Sequence, residues 1–178
     1  IRKDVLYCDS LNSKKRKDCI IVLNIILESL LKWFAPILAF TTEEIYSLIN
    51  IKNESIHELH FVNIPKTWEN NKLNKKWEKL FKIKQEANIA IEEKRFNKEI
   101  GSSLEAEIKI TADAANYELL ESLDLAEYFI TSKASKVKSE DKNNFKIDVK
   151  KASGTKCPRC WKILEKKCTR CEQAINKI

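Results

Sequence analysis

KKRKDCIIVLNIILESLLKWFAPILAFTTEEI, residues Lys14 to Ile45, is the stretch that decides the fold. Ser13 stands at an N-cap position, and apolar residues then recur at Cys19, Leu23, Ile26, Leu27, Leu30, Leu31 and Phe34, the spacing of a helix from about Lys14 to Trp33. Its polar stripe is narrow, with Asn24, Glu28 and Lys32 four apart and Glu28 N-terminal to Lys32, the favourable order. So narrow a stripe predicts a helix deep in a bundle. Pro36 stops it. The next helix is expected to start at Thr41, with Thr41 and Glu44 as a capping box and Phe40 stapling onto Ile45. Ile45, Leu48 and Ile49 then make a short apolar face.

Working outward, residues 53–71 read as a connection turning at Ile64-Pro65. His57 and His60 inside it are expected to be surface or packing residues and not a metal pair. A long amphipathic helix is predicted from about Leu73 to Phe96, burying Trp77, Leu80, Phe81, Ala87 and Ile91. Lys72, Lys75, Lys79 and Lys82 recur along another side, where they can meet phosphates or simply face water. After Gly101 the period changes to two. Leu104, Ala106, Ile108 and Ile110 alternate with charged residues as in a half-buried strand. A short helix near 114–123, a strand over Tyr128–Thr131, a polar loop over Ser132–Asn144 and a strand carrying Phe145, Ile147 and Val149 complete a small α+β layer. The expected architecture is mainly α: a helical domain over 1–100, an α+β module over 101–153, and a metal finger over 154–178.

That last segment carries the clearest chemistry. Cys157-x2-Cys160-x7-Cys168-x2-Cys171 places two thiol pairs where they can close a tetrahedral shell on one Zn²⁺, with metal–sulfur distances of ~2.3 Å and no open position for substrate. Such a site is structural. Disulfides, with Cys8 and Cys19 completing an even set, and a redox C-x-x-C are the competing readings. A chain with 33% charged residues and sizeable apolar runs has no need of disulfide staples. Four thiolates on zinc leave two negative charges, and Lys156, Arg159, Lys162, Lys166, Lys167 and Arg170 either balance them or face a polyanion. Trp161, directly after the second ligand, either packs on the knuckle or stacks on a base.

The 178 residues are 43% hydrophobic, enough for a core, and carry 33 Lys and Arg against 26 Asp and Glu. The resulting +7 favours an anionic partner such as nucleic acid. Polar residues interrupt the longest apolar run, Cys19 to Phe34, so no membrane span is expected. There is no glycine-rich phosphate loop, no G-x-S-x-G, and no His near an evident nucleophile. The absence of methionine leads us to expect a portion of a longer chain. Lys14, Lys15, Arg16 and Lys17 crowd a helix first turn, where the macrodipole disfavours cations, so a phosphate partner or a tolerated surface cluster must account for them.

Several of these stretches carry a family resemblance. Phe34-Ala35-Pro36-Ile37-Leu38-Ala39-Phe40-Thr41-Thr42-Glu43-Glu44-Ile45 resembles the helix–turn–helix signature of the anticodon-binding domain in class I aminoacyl-tRNA synthetases for Ile, Val, Leu and Met. Lys3-Asp4-Val5-Leu6-Tyr7-Cys8-Asp9-Ser10, Trp77-Glu78-Lys79-Leu80, Ile100-Gly101-Ser102-Ser103-Leu104-Glu105-Ala106 and Lys156-Cys157-Pro158-Arg159-Cys160-Trp161 are similar, in order, to bacterial-type isoleucyl-tRNA synthetase. The seven-residue loop between the cysteine pairs is shorter than is usual there.

The resemblance implies a C-terminal region that binds the isoleucine-accepting tRNA around its anticodon and holds one structural zinc through Cys157, Cys160, Cys168 and Cys171. It also implies a cytoplasmic, monomeric setting, in one chain with upstream catalytic and editing domains. ATP belongs to the absent catalytic domain, whose His-Ile-Gly-His and Lys-Met-Ser-Lys-Ser signatures do not occur here. The candidate tRNA contacts are Lys14, Lys15, Arg16, Lys17, Lys75, Lys79, Lys82, Arg159, Trp161 and Arg170. A free-standing zinc-ribbon adaptor for nucleic acid or protein is the alternative, and a thiol redox protein a further one.

Overall fold

The computed structural model describes residues 3–50, 54–140 and 145–175. By their contacts they fall into two compact units, Ile1–Glu69 with Arg170–Ile178, and Asn70–Thr169.

The first unit holds helix α1 (Lys3–Cys8), α2 (Lys14–Phe34) and α3 (Ala39–Ile49), then single 3-10 turns at Ile56–Glu58 and Lys66–Trp68. α2 has the predicted start and ends two residues before Pro36. Ser13 occupies its N-cap, yet its hydroxyl donates to the Asp9 carboxylate (3.2 Å) and accepts from no helix N–H. Two expectations fail here. α3 begins at Ala39, so Thr41 and Glu44 lie inside the helix and form no capping box. Thr42 is the buried residue of that turn, returning its Oγ1 to the carbonyls of Leu38 (3.0 Å) and Ala39 (3.2 Å).

Nor is α2 deep in a bundle. Leu31 and Ala35 form a small core with Ile56, flanked by Tyr46 and Leu59. Ile21, Val22, Ile26, Trp33 and Phe34 stay exposed, as do Phe40 at 93% and Leu48 at 81%. The principal neighbours of α2 are α1, α3 and the Ile56–Glu58 turn, too few elements to cover a helix apolar on most sides. Glu43 pins that turn to α3, accepting from Ser55 Oγ (2.9 Å) and from the Ile56 N–H (3.0 Å). His57 and His60 are exposed, and neither belongs to a metal-capable cluster among the described residues.

The second unit is a three-stranded sheet packed on the long helix α4 (Asn71–Phe96). β1 (Ala106–Ala112) is central; β2 (Lys133–Lys138) runs parallel to it and β3 (Phe145–Lys151) antiparallel. The parallel pair needs a crossover, supplied by α5 (Ala114–Glu121) and α6 (Leu125–Tyr128). Ile108 and Ile110 of β1 meet Leu80, Ile83, Ala87 and Ile91 of α4, with Leu120 and Phe129 closing the core. So α4, expected in a helical domain of residues 1–100, shares its core with the sheet. Its buried stripe is 80, 83, 87 and 91; Trp77 and Phe81, expected inside, fall at the margin and are 44% and 60% exposed.

The region after α5 also departs from expectation. Tyr128–Thr131 is no strand: it ends α6, buries Phe129 and turns at Ile130 (φ +58°). The strand lies instead in Lys133–Lys138, inside the expected polar loop, whose residues 141–144 fall outside those described. As an edge strand with only half-buried residues inward, it needs no apolar run. Asp113 and Asp124 cap α5 and α6 through the N–H groups of Asn116 (2.8 Å) and Glu127 (3.0 Å), and Asp124 with Glu127 in D-x-x-E order was the readable signal for a helix there.

Candidate metal centre and nucleic-acid interface

The cysteine segment is built on the second unit by a short hairpin, β4 (Thr155–Lys156) with β5 (Ile163–Leu164), and continues into α7 (Thr169–Ile175). Gly154 makes the hairpin possible: at φ +128° a Cβ would stand 2.3 Å from the Leu164 carbonyl oxygen. Between the strands the chain folds into a tight knuckle, with the Cys157 N–H donating to Lys162 O and the Trp161 N–H to Cys157 O, both at 2.9 Å. Trp161 takes φ +65°, uncommon for a bulky residue, and the residue is 61% exposed.

Side chains of the sheet unit hold the hairpin. Ser132, buried, accepts the Ile163 N–H (2.6 Å) and donates to the Leu104 carbonyl. Lys133 pairs with Glu165 and lies 3.3 Å from Ser153 Oγ. Glu105 accepts the Gly101 N–H (3.0 Å) and sits 3.6 Å from Lys156, the residue before the first cysteine. The Gly101 N–H, with Lys156 and Lys151 nearby, holds the Glu105 carboxyl below the usual range. Hydrogen bonding and charge from Lys133 lower that of Glu165 in the same way.

The four sulfurs of Cys157, Cys160, Cys168 and Cys171 lie within 4.8 Å of one another. None of the six cysteines is joined in a disulfide. A tetrahedral zinc with bonds of ~2.3 Å has ligand atoms about 3.8 Å apart. Cys160 and Cys168 show 3.8 Å between their sulfurs. The donor set therefore fits a zinc ion in type, number and spacing. Cys160 and Cys171 are buried and the other two half-buried.

Arg170, between the last two cysteines, does not face outward. Its guanidinium donates to the Asp9 carboxylate, to the Asp4 carboxylate (3.1 Å) and to the Asp4 carbonyl (3.0 Å). Those hydrogen bonds and charges raise its already high pKa despite burial, which pulls the other way. Arg16 is also engaged, donating from Nε to the Leu6 carbonyl (3.1 Å). Two residues expected to meet RNA thus tie α1 in place. Sequence reasoning missed Asp4 and Asp9, whose only signal was two acids in a lysine-rich chain.

The remaining candidates stand on the surface. Lys14, Lys15 and Lys17 are exposed on the first turn of α2, which contains no acid. Lys75, Lys79 and Lys82 are exposed on α4, Trp161 lies outward on the knuckle, and Arg159 beside it is half-buried.

Residues 1–110 match the family model for the anticodon-binding domain of tRNA ligase. The chain belongs to that family. Relatives match nearly all of the chain. An isoleucine–tRNA ligase of Pelagibacter ubique is 52% identical over 96% of it, that of Agrobacterium fabrum 39% over 92%, and that of Staphylococcus carnosus 37% over 99%. These matches cover 19%, 18% and 21% of the respective relatives, so the chain spans about a fifth of their length. The anticodon-binding match ends inside β1, and the cysteine cluster lies beyond it.

Proposed function

We propose that this chain is the tRNA-holding C-terminal region of an isoleucine–tRNA ligase, with a class I anticodon-binding fold, acting in the cytoplasm. The parent enzyme would join isoleucine to its tRNA using ATP; the residues here supply grip and not chemistry. The observation that carries the reading is the 52% identity to such a ligase over 96% of the chain.

Physical features support it. No described helix is long and apolar enough to cross a membrane. The exposed apolar side of α2 and α3, with Ile21, Val22, Trp33, Phe34, Phe40 and Leu48, is what a bundle shows when some of its helices belong to another stretch of chain. We assign that cover to upstream parts of the same monomeric parent, where catalysis and editing also reside. The chain alone would then bind tRNA without charging it.

In this reading Cys157, Cys160, Cys168 and Cys171 hold one zinc, which supplies a rigid crosslink and no reaction. Lys14, Lys15 and Lys17 meet phosphates, each neutralised charge releasing counterions. Trp161 offers an exposed ring to an unstacked base, with Arg159 beside it. The test is binding of purified chain to isoleucine-accepting and non-cognate tRNA at two salt concentrations. Tighter binding of the cognate species at both salts is expected; equal affinity for both, falling in parallel with salt, would reduce the chain to a generic polycation.

A further inference from the structure

The second unit carries an electropositive groove apart from the knuckle and from the α2 cluster. It opens beside the first turns of α4, has a volume of about 450 Å³, and is lined by Lys72, Lys75, Lys76 and Lys79 over Leu73 and Leu119. Lys76 Nζ is fixed by donation to Ser122 Oγ (2.7 Å), which ties α4 to the end of α5. Lys72, Lys75 and Lys79 have no hydrogen-bond or ion-pair partner among the described residues. Six other lysines of this unit do have one. Lys94, Lys133, Lys136, Lys146, Lys150 and Lys156 all sit within 4 Å of a carboxylate.

The arrangement is costly as it stands. Residues three and four apart on a helix are neighbours, so like charges at 72, 75, 76 and 79 repel, by roughly 0.2–0.5 kcal/mol per pair. Lys72 also stands in the first turn, at the positive end of the helix dipole, with no acid there to offset it. α5 and α6 are built the opposite way, each opening on an aspartate cap. An anion in the groove would relieve both penalties together.

We propose that this groove is a second RNA contact of the chain, a sequence-independent seat for about two consecutive phosphodiesters. The inference rests on the tRNA-binding reading and names where, in the sheet unit, the backbone lies. Ammonium groups over seven residues of helix span about 10 Å, a length suited to a run of backbone and not to a single ion. The floor of Leu73, Leu119 and lysine methylenes suits ribose faces. No aromatic or amide side chain except Asn70 lines it, and Asn70 Oδ1 already accepts the Leu73 N–H (2.9 Å), so there is little to read a base edge. The groove therefore adds affinity without discrimination.

The experiment compares the 178-residue chain with a Lys72→Gln, Lys75→Gln, Lys79→Gln variant, leaving Lys76 in its bond. Matched circular dichroism and amide exchange in α4 establish that the variant is folded. Binding to isoleucine tRNA and to its isolated anticodon hairpin is titrated across salt. Loss of the lysines that neutralise about two phosphates should lower the slope of log K against log salt by roughly 1.4–1.8, with the cognate-to-non-cognate ratio unchanged. A control with Lys109→Gln, Lys138→Gln and Lys146→Gln, on the sheet, should lower it by less than half as much. An unchanged slope in the α4 variant, or an equal fall in the control, overturns the groove while leaving tRNA binding intact. Wild-type chain that ignores tRNA at every salt overturns the wider reading, and the groove with it. Competition by polyglutamate as effective as by RNA would make the partner an acidic protein and also refute it.

Discussion

Replacing Arg170 by Ala separates a clasp from an RNA contact. The guanidinium makes charge-assisted hydrogen bonds to Asp9 and Asp4 and a further one to the Asp4 carbonyl, at side-chain exposures of 31% for Arg170, 36% for Asp4 and 11% for Asp9. Hydrogen bonds to charged groups contribute about 1.5–3 kcal/mol each when shielded. Partial exposure discounts the Asp4 bonds strongly and the Asp9 bond less. Removal also strands the Asp9 carboxylate, whose remaining donor is Ser13. We expect a loss of about 2–4 kcal/mol in the local stability of the first unit. Amide exchange reads this directly: protection in α1 and the first turns of α2 should fall roughly 30- to 1,000-fold, at about 1.4 kcal/mol per decade. Arg170→Lys should recover little of it, because an ammonium cannot reproduce a planar fork between two carboxylates. Coupling between Arg170→Ala and Asp9→Ala in a double-mutant cycle should exceed about 1 kcal/mol. Under conditions where the variant is folded, its salt slope for tRNA should match wild type. Protection unchanged within about threefold, or a slope lowered by a full unit, would refute the clasp and return Arg170 to the RNA surface.

Cys157→Ser or Cys168→Ser should each abolish stoichiometric zinc, measured by a chromophoric chelator, while far-ultraviolet circular dichroism of the helices stays within a tenth of wild type; one equivalent of zinc retained by either variant would count against the four-sulfur site. Gly154→Ala forces a Cβ to 2.3 Å from Leu164 O and 2.5 Å from its carbonyl carbon, both backbone, in a conformation that L residues avoid. A loss of about 2–5 kcal/mol in hairpin stability and weakened zinc retention should follow, and wild-type chelator kinetics would contradict it. Acid should loosen the base of the knuckle. Glu105 and Glu165 have lowered native pKa values, so their contribution is complete above the unfolded value near 4.3 and is lost as pH falls through the native ones. Exchange protection of the Gly101 amide, followed from pH 6 to 3, should decline over that range in wild type and be low and flat in Glu105→Gln; an equally protected variant would show the bond to be idle.

What could be read from residue order was local. α2 announced both ends, since Ser13 precedes a 3.6-residue apolar period and Pro36 forbids continuation. β1 and β3 announced themselves by strict alternation over Ala106–Ile110 and Phe145–Val149. The cysteine pairs needed little but their spacing, because two C-x-x-C turns so close together bring their four sulfurs into one cluster. The missed strand has a clear cause. β2 is a parallel edge strand formed by Lys133-Ala134-Ser135-Lys136-Val137-Lys138, and its hydrogen bonds to β1 supply what its side chains lack. Its composition looks like a loop until a partner strand is present.

Thus the ends of α2, the alternating strands β1 and β3 and the thiol quartet were determined by the chain alone, each resting on interactions within a few residues. Tertiary structure alone decided that α4 belongs with the sheet, that Arg170 turns onto Asp4 and Asp9 across more than 160 positions, and that Lys72, Lys75 and Lys79 line a groove without a partner among the described residues. A side chain's periodicity says which face it is on; only the folded neighbourhood says whether that face meets a core, a carboxylate or open water.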